Sequence, residues 1–160
     1  MKPVEDARAN FAQAKGQLEK AFAGIPDDRL NWSPSETART PVEIVAHSAE
    51  ALFHIAEMID GRPFYQGPTA DADAEFRERE RDFKTREAAL ELLEKNSAIL
   101  LEVLDRLTPE RLDSEMATLP FGLGQAPVAM ALGAPADHTR WHAAQLEYIQ
   151  TIYGDRDWRL

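Results

Sequence analysis

Apolar residues recur at three- and four-residue intervals along most of the chain, which is the spacing of one face of an α-helix. The pattern predicts four long helices, at residues 4–24, 41–60, 86–107 and 127–153. Gly24 and Gly61, each followed two residues later by a proline, are typical ends for the first two. No stretch alternates between apolar and polar residues in the manner of a half-buried strand. The sequence therefore predicts an all-α protein without strands.

Three of these helices carry local signals that place their starts or breaks. Thr40 precedes a proline that suits the first helical position, and Glu43 can complete a capping box with it. Thr85 can cap the third helix in the same way. Gly133 and Pro135 fall inside the last predicted helix, so we expect a kink or a break there.

The segments between the helices differ in character. Residues 25–40 are rich in Pro, Asp, Asn and Ser and predict a loop, which Trp32 would anchor to the core. Residues 71–84 alternate in charge and predict a short solvated helix or a mobile lead-in. Residues 113–126 are apolar and glycine-rich, and such a loop is expected to cover core or a pocket. Together the elements predict a four-helix bundle, and periodicity leaves up-down-up-down and crossover connectivities open.

Length, composition and charge narrow the class of protein. A chain of 160 residues with 44% hydrophobic and 29% charged residues predicts a single soluble domain over residues 1–160. A net charge of -10 argues against nucleic acid or an anionic membrane as partner, because phosphate groups bind Lys and Arg. The absence of cysteine excludes disulfides and thiolate metal ligands. With no apolar run long enough to span a membrane and no signal peptide, we expect a cytoplasmic protein.

Histidines supply the candidate chemistry. Of the four, His138 and His142 stand four residues apart in the last helix, so both rings lie on one face and can bind one metal ion. His47 lies on the flank of the apolar face of the second helix and could add a third imidazole. Three neutral imidazoles can bind Zn²⁺, Ni²⁺ or Fe²⁺ and leave coordination positions open to water. Histidines at the boundary between core and solvent are also common on such helices. The pattern alone therefore does not decide whether the protein binds a metal.

Three further residues are candidates for supporting roles. His54 lies about 10 Å beyond His47 along the helix, too far for the same ion, and we expect it at the boundary or lining a pocket. Glu50 and Asp137 stand close in sequence to the histidines, and either could orient an imidazole by accepting its hydrogen bond. A solvated surface carboxylate is the simpler role for both. Neither a His-Glu-x-x-His zincin motif nor the Glu-x-x-His of di-iron bundles occurs.

Two stretches of the chain resemble the DinB family of metalloenzyme-like helical bundles. One is Asn31-Trp32-Ser33-Pro34 followed by the helix that carries His47. The other runs from His138 through His142 and Ala143-Ala144-Gln145-Leu146 to Gly154. The order and spacing agree over nearly the full length, although Ala144 stands where the family often has glycine.

The resemblance implies a four-helix bundle with a long crossover connection and a divalent metal held by His47, His138 and His142. It also implies a homodimer. The implied activity is that of a metal-dependent hydrolase, or of a transferase or isomerase that uses a low-molecular-weight thiol, acting on a small-molecule substrate. Two other readings stay open: a non-catalytic helical-bundle dimer whose metal stabilises the fold or responds to stress, and a bundle without metal.

Overall fold

The computed structural model describes residues 1–157, in which four long helices form a bundle and shorter elements connect them. The bundle helices are α1 (Lys2–Ala23), α2 (Pro41–Ile59), α4 (Arg86–Asp105) and α7 (Ala134–Ile152). The connections hold α3 (Thr69–Glu80), α5 (Pro109–Ser114), β1 (Met116–Thr118), β2 (Gln125–Pro127) and α6 (Val128–Ala131). The prediction of an all-α four-helix bundle is confirmed.

The bundle helices begin where local chemistry predicts. The amide of Glu43 donates to Thr40 Oγ1 at 3.3 Å, and the amide of Thr40 donates to Glu43 Oε2 at 2.9 Å, which completes the capping box. Thr85 accepts from the amide of Ala88 at 3.2 Å. The expected break in the last helix occurs between α6 and α7, where Gly133 precedes the first turn of α7.

Contacts between helix ends show which helices run in the same direction. Arg8, near the start of α1, pairs with Asp105 at the end of α4, and Arg86 at the start of α4 donates to the carbonyl of Ile25, just after α1, at 2.6 Å. These two helices are therefore antiparallel.

A similar comparison shows that α2 and α4 are parallel. Lys84, just before α4, approaches Glu43 in the first turn of α2, and Arg106, just after α4, pairs with Asp60, just after α2, at 3.3 Å. Two parallel neighbours require a connection that runs back along the bundle, and residues 60–85, which include α3, provide it. The connectivity is thus the crossover form.

The apolar faces of the helices meet in one core. Its largest fully buried apolar side chains are Leu18, Phe22, Ile25, Leu52, Ile59, Leu93, Leu100, Leu104 and Leu146. None of the helices among residues 1–157 combines the length and the apolar character that a membrane crossing requires.

The prediction that the chain has no strands is wrong. Residues 116–127 hold a hairpin in which β1 pairs antiparallel with β2, Ala117 opposite Ala126; strands of three residues are too short to show alternation. The charged run forms a short helix, α3, which is one of the two predicted alternatives. It is not simply solvated, however, because Ala72, Phe76 and Glu80 form a buried stripe at four-residue spacing.

Docking of the crossover covers the face of α2 that carries Glu43, Glu50 and Glu57. Glu50 pairs with Arg79 at 2.7 Å and retains only 14% exposure of its side chain. Glu43 approaches Lys84, and Glu57 pairs with an arginine of the same connection. The crossover segment is therefore part of the wall around the histidine face of α2.

Candidate metal centre

His47 from α2 and His138 and His142 from α7 converge at the interface of these helices. One ring nitrogen from each lies within 4.8 Å of the other two, and Nε2 of His138 is 3.3 Å from Nε2 of His142. A single ion at about 2.1 Å from each nitrogen requires nitrogen separations of about 3–4 Å. Within residues 1–157 this is the one group of three or more His, Asp or Glu side chains arranged for a metal ion.

Hydrogen bonds determine which nitrogen of two rings is free to bind. Nδ1 of His47 lies 2.6 Å from Oε1 of Glu80, and an ionised carboxylate only accepts, so this nitrogen carries the proton. Nδ1 of His142 lies 2.8 Å from Oε1 of Gln145 and donates to it in the same way. The lone pair of each ring is therefore on Nε2, the ligand form that such partners enforce in metal sites.

Burial keeps the histidines of α7 neutral. Desolvation, together with the nearby His142 and His47, lowers the pKa of His138 to about 3. Desolvation and the nearby His47 lower the pKa of His142 to about 4. Neutral imidazole is the form that binds metal. In addition, Nε2 of His138 and Nε2 of His142 face each other, and one cation between them could bind both. The donor set fits a divalent metal ion.

Glu80 is the functional residue that sequence reasoning missed. Its side chain is 1% exposed and accepts from Arg39 Nε at 2.6 Å as well as from His47. Arg39 also pairs with Asp73 at 2.8 Å. Burial alone would raise the pKa of Glu80, but the hydrogen bonds from His47 and Arg39 outweigh it and hold this pKa below its usual range. The available signal was the spacing of Ala72, Phe76 and Glu80 within the charged run.

The structure places the other candidate residues around the cluster, without a hydrogen bond to its imidazoles among the described contacts. Glu50 binds Arg79, and Asp137 lies 3.4 Å from Arg140. His54 lies outside the group of three, with its ring centroid 5.4 Å from that of Phe76, and it lines a smaller neighbouring cavity.

A cavity of about 710 Å³ opens beside the three histidines, which form part of its wall. This volume is within the range of small-molecule sites. Side chains from α2, α3, α7 and the loop between β1 and β2 enclose it. A molecule in the cavity could therefore reach an ion held by the imidazoles.

Comparison with known proteins agrees with the helical fold. A family model described as the DinB superfamily matches residues 10–146. The solved structure of "Sibling Lethal Factor Precursor - DfsB" is similar with a TM-score of 0.73 and 18% identity, over 95% of this chain and 97% of that chain. At this identity the likeness shows the fold alone. No curated protein matches the chain in sequence.

Proposed function

Because the chain belongs to the DinB superfamily, we propose that it is a metal-dependent enzyme acting on a small molecule, either a hydrolase or a transferase or isomerase that uses a low-molecular-weight thiol. The observation that carries the proposal is the position of the three histidines on the wall of the cavity. A structural metal ion is normally enclosed by four protein ligands, whereas three ligands beside a cavity leave room for a substrate.

The side chains at the site have distinct tasks in this proposal. His47, His138 and His142 would hold one divalent ion, Zn²⁺, Ni²⁺ or Fe²⁺, whose chemistry would be to lower the pKa of a water molecule or thiol and to polarise the substrate. Glu80 and Gln145 hold two of the rings in the binding tautomer. The apolar wall of the cavity excludes water from the bound molecule.

The cavity offers few groups for proton transfer. Asp73 lies in its wall but is paired with Arg39 and Arg77, and Asp137 is paired with Arg140. Both carboxylates are therefore held in ion pairs, and the proposed chemistry depends on the metal more than on a side-chain base.

We expect protein prepared without an affinity tag to contain about one equivalent of Zn, Ni or Fe by elemental analysis. Chelation should lower the melting temperature, since a ligand present at 100 times its Kd stabilises the folded state by about 2.7 kcal/mol. Restoring the metal should reverse the change. Absence of stoichiometric metal, together with an unchanged melting temperature after chelation, would contradict the proposed metal centre.

Activity is tested on the metal-loaded protein with panels of esters, amides and electrophiles, each with and without an added low-molecular-weight thiol. Metal-dependent turnover supports the enzyme. Loss of metal in ligand variants, with no turnover of any compound by the native protein, would favour the non-catalytic alternative, in which the metal stabilises the bundle.

We further propose that a second copy of the chain binds the outer face of α7. Trp141, Tyr148 and Ile152 are exposed apolar residues at intervals of seven and four, so they share one helix face. Such a stripe on a bundle helix is typical of a protein interface. This face borders the one that carries the histidine pair, because Trp141 also lines the cavity beside the histidines.

Tyr148→Glu is expected to weaken the dimer by 30-fold or more, because an aromatic side chain at the centre of an interface typically contributes about 2 kcal/mol or more. Light scattering during size-exclusion chromatography would show a dimer for the native protein and a monomer for the variant. Phe53→Glu, at an exposed aromatic residue of α2, is the control and should remain dimeric. A native protein that is monomeric at high concentration would contradict the proposed interface.

A further inference from the structure

The cavity beside the histidines is elongated along α2. Four residues of this helix line it, His47, Ala51, Ile55 and Met58, at intervals of four, four and three. Met58 lies eleven positions after His47, which corresponds to about 16 Å along the helix. The imidazoles therefore lie toward one end, and the wall beyond them is apolar.

Charge in the cavity wall has one sign. The charged side chains among its described lining residues are Asp73 and Asp137, and neither Lys nor Arg is present. Both carboxylates already pair with arginines. The wall beyond the histidines thus offers no cation to an anionic group, and burial of an unpaired charge there would be costly.

Aromatic side chains form another part of the cavity wall. Phe121, at the turn between β1 and β2, has a φ of 58°, a conformation that is uncommon for a residue with a side chain. Its amide donates to the carbonyl of Tyr65 at 2.8 Å, and its ring centroid is 5.9 Å from that of Phe64. The turn is therefore held against the crossover segment, with Phe121 in the cavity wall.

The rim of the cavity is apolar as well. Leu123 and Met130 line it and are 70% and 73% exposed. Two exposed apolar side chains at the mouth of an apolar cavity extend its surface toward solvent.

We propose that the substrate or ligand has an uncharged, largely apolar body, an alkyl or aryl chain, and one small polar group that it presents to the histidines. The body lies along Ala51, Ile55 and Met58 beneath Phe121. This inference rests on the proposed metal function for the polar end, whereas the apolar end depends on the cavity alone. Substrates with a multiply charged body are excluded from this cavity.

Two homologous series of probes test the polar end and the apolar body of the proposed ligand separately. They are alkyl hydroxamic acids, which bind metal ions, and the matching primary amides, each from propyl to decyl. Calorimetry on the metal-loaded protein gives their affinities. We expect affinity to rise in both series by about fourfold for each added methylene until the cavity is filled. The hydroxamic acids should bind more tightly than the amides of equal length. A decyl chain with a terminal carboxylate should bind at least about tenfold more weakly than its methyl-terminated counterpart.

Phe121→Ala is expected to weaken binding of the decyl amide about tenfold and to leave the propyl amide unchanged. Phe53→Ala is the matched control, because Phe53 is a partly exposed aromatic residue outside this cavity. Melting temperatures of both variants show that they are folded. Equal binding of the decyl amide to Phe121→Ala and to the native protein would overturn the placement of the chain.

The outcomes distinguish the two proposals. Affinity that rises with chain length in both series, with tighter binding of the hydroxamic acids, supports the apolar cavity and the metal centre. A rise in both series without that advantage supports the apolar cavity and counts against the metal centre. Hydroxamic acids that bind equally at every length, or a terminal carboxylate that costs nothing, would overturn the inferred substrate class while leaving the metal centre intact. No binding by either series overturns both.

Discussion

His142→Ala is expected to produce a folded protein that no longer retains stoichiometric metal. The change leaves two imidazoles, His47 and His138, on different helices, and it removes the nitrogen that lies 3.3 Å from His138 Nε2. Loss of a partner that merely orients a ligand weakens metal binding by about 10–100-fold, so loss of a ligand should exceed that. Competition with a chelator of known affinity gives the change in Kd.

His54→Ala is the control for this experiment. His54 is also a partly buried histidine with aromatic neighbours, but it lies outside the group of three ligands. The control variant should retain the metal affinity of the native protein. Equal loss of metal from His54→Ala and His142→Ala would show that the ligand set has been assigned incorrectly.

Glu80→Ala is expected to lower both the stability of the protein and its affinity for metal. Removal of one partner from a buried ion pair costs about 3–5 kcal/mol, and because Arg39 keeps Asp73 as a partner we expect a value near 3 kcal/mol. Metal affinity should fall about 10–100-fold, since His47 loses the acceptor that holds its tautomer. Chemical denaturation of the metal-free protein and chelator competition measure the two effects separately.

Two further variants test whether these effects are distinct. Glu78→Ala changes an exposed glutamate on the same helix and should alter neither quantity. The double variant Arg39→Met with Glu80→Leu replaces the buried pair by apolar side chains and should recover most of the stability without recovering metal affinity. Recovery of both stability and metal affinity in the double variant would show that Glu80 acts on the metal site only through the stability of the fold.

Features determined by neighbouring residues could be predicted from the sequence. The capping box of Thr40 and Glu43 depends on a three-residue spacing, and the pairing of His138 with His142 depends on one helical turn. The break before α7 likewise follows from Gly133 and the proline two residues later. In contrast, periodicity could place His47 on a helix flank but could not show that α2 lies against α7; the family resemblance was needed for that.

Features that depend on contacts between distant segments could not be predicted. The residue that orients His47 is Glu80, 33 positions away, whereas sequence proximity suggested Glu50. The four-residue spacing of Ala72, Phe76 and Glu80 marks one face of α3, but the packing of that face against α2, which places Glu80 beside His47, depends on a contact between distant segments. The hairpin strands have only three residues each, and the turn between them is held partly from outside, because the amide of Phe121 donates to the carbonyl of Tyr65.

The loop between β1 and β2 contributes to the cavity but not to the ligand set. The histidines belong to bundle helices, whereas Leu119, Phe121 and Leu123 belong to a surface connection. Connections of this kind tolerate changes of length and composition that helices in a core do not. The same three histidines could therefore be combined with cavities of different size through changes in this loop, so the proposed metal site and the proposed substrate preference could evolve separately.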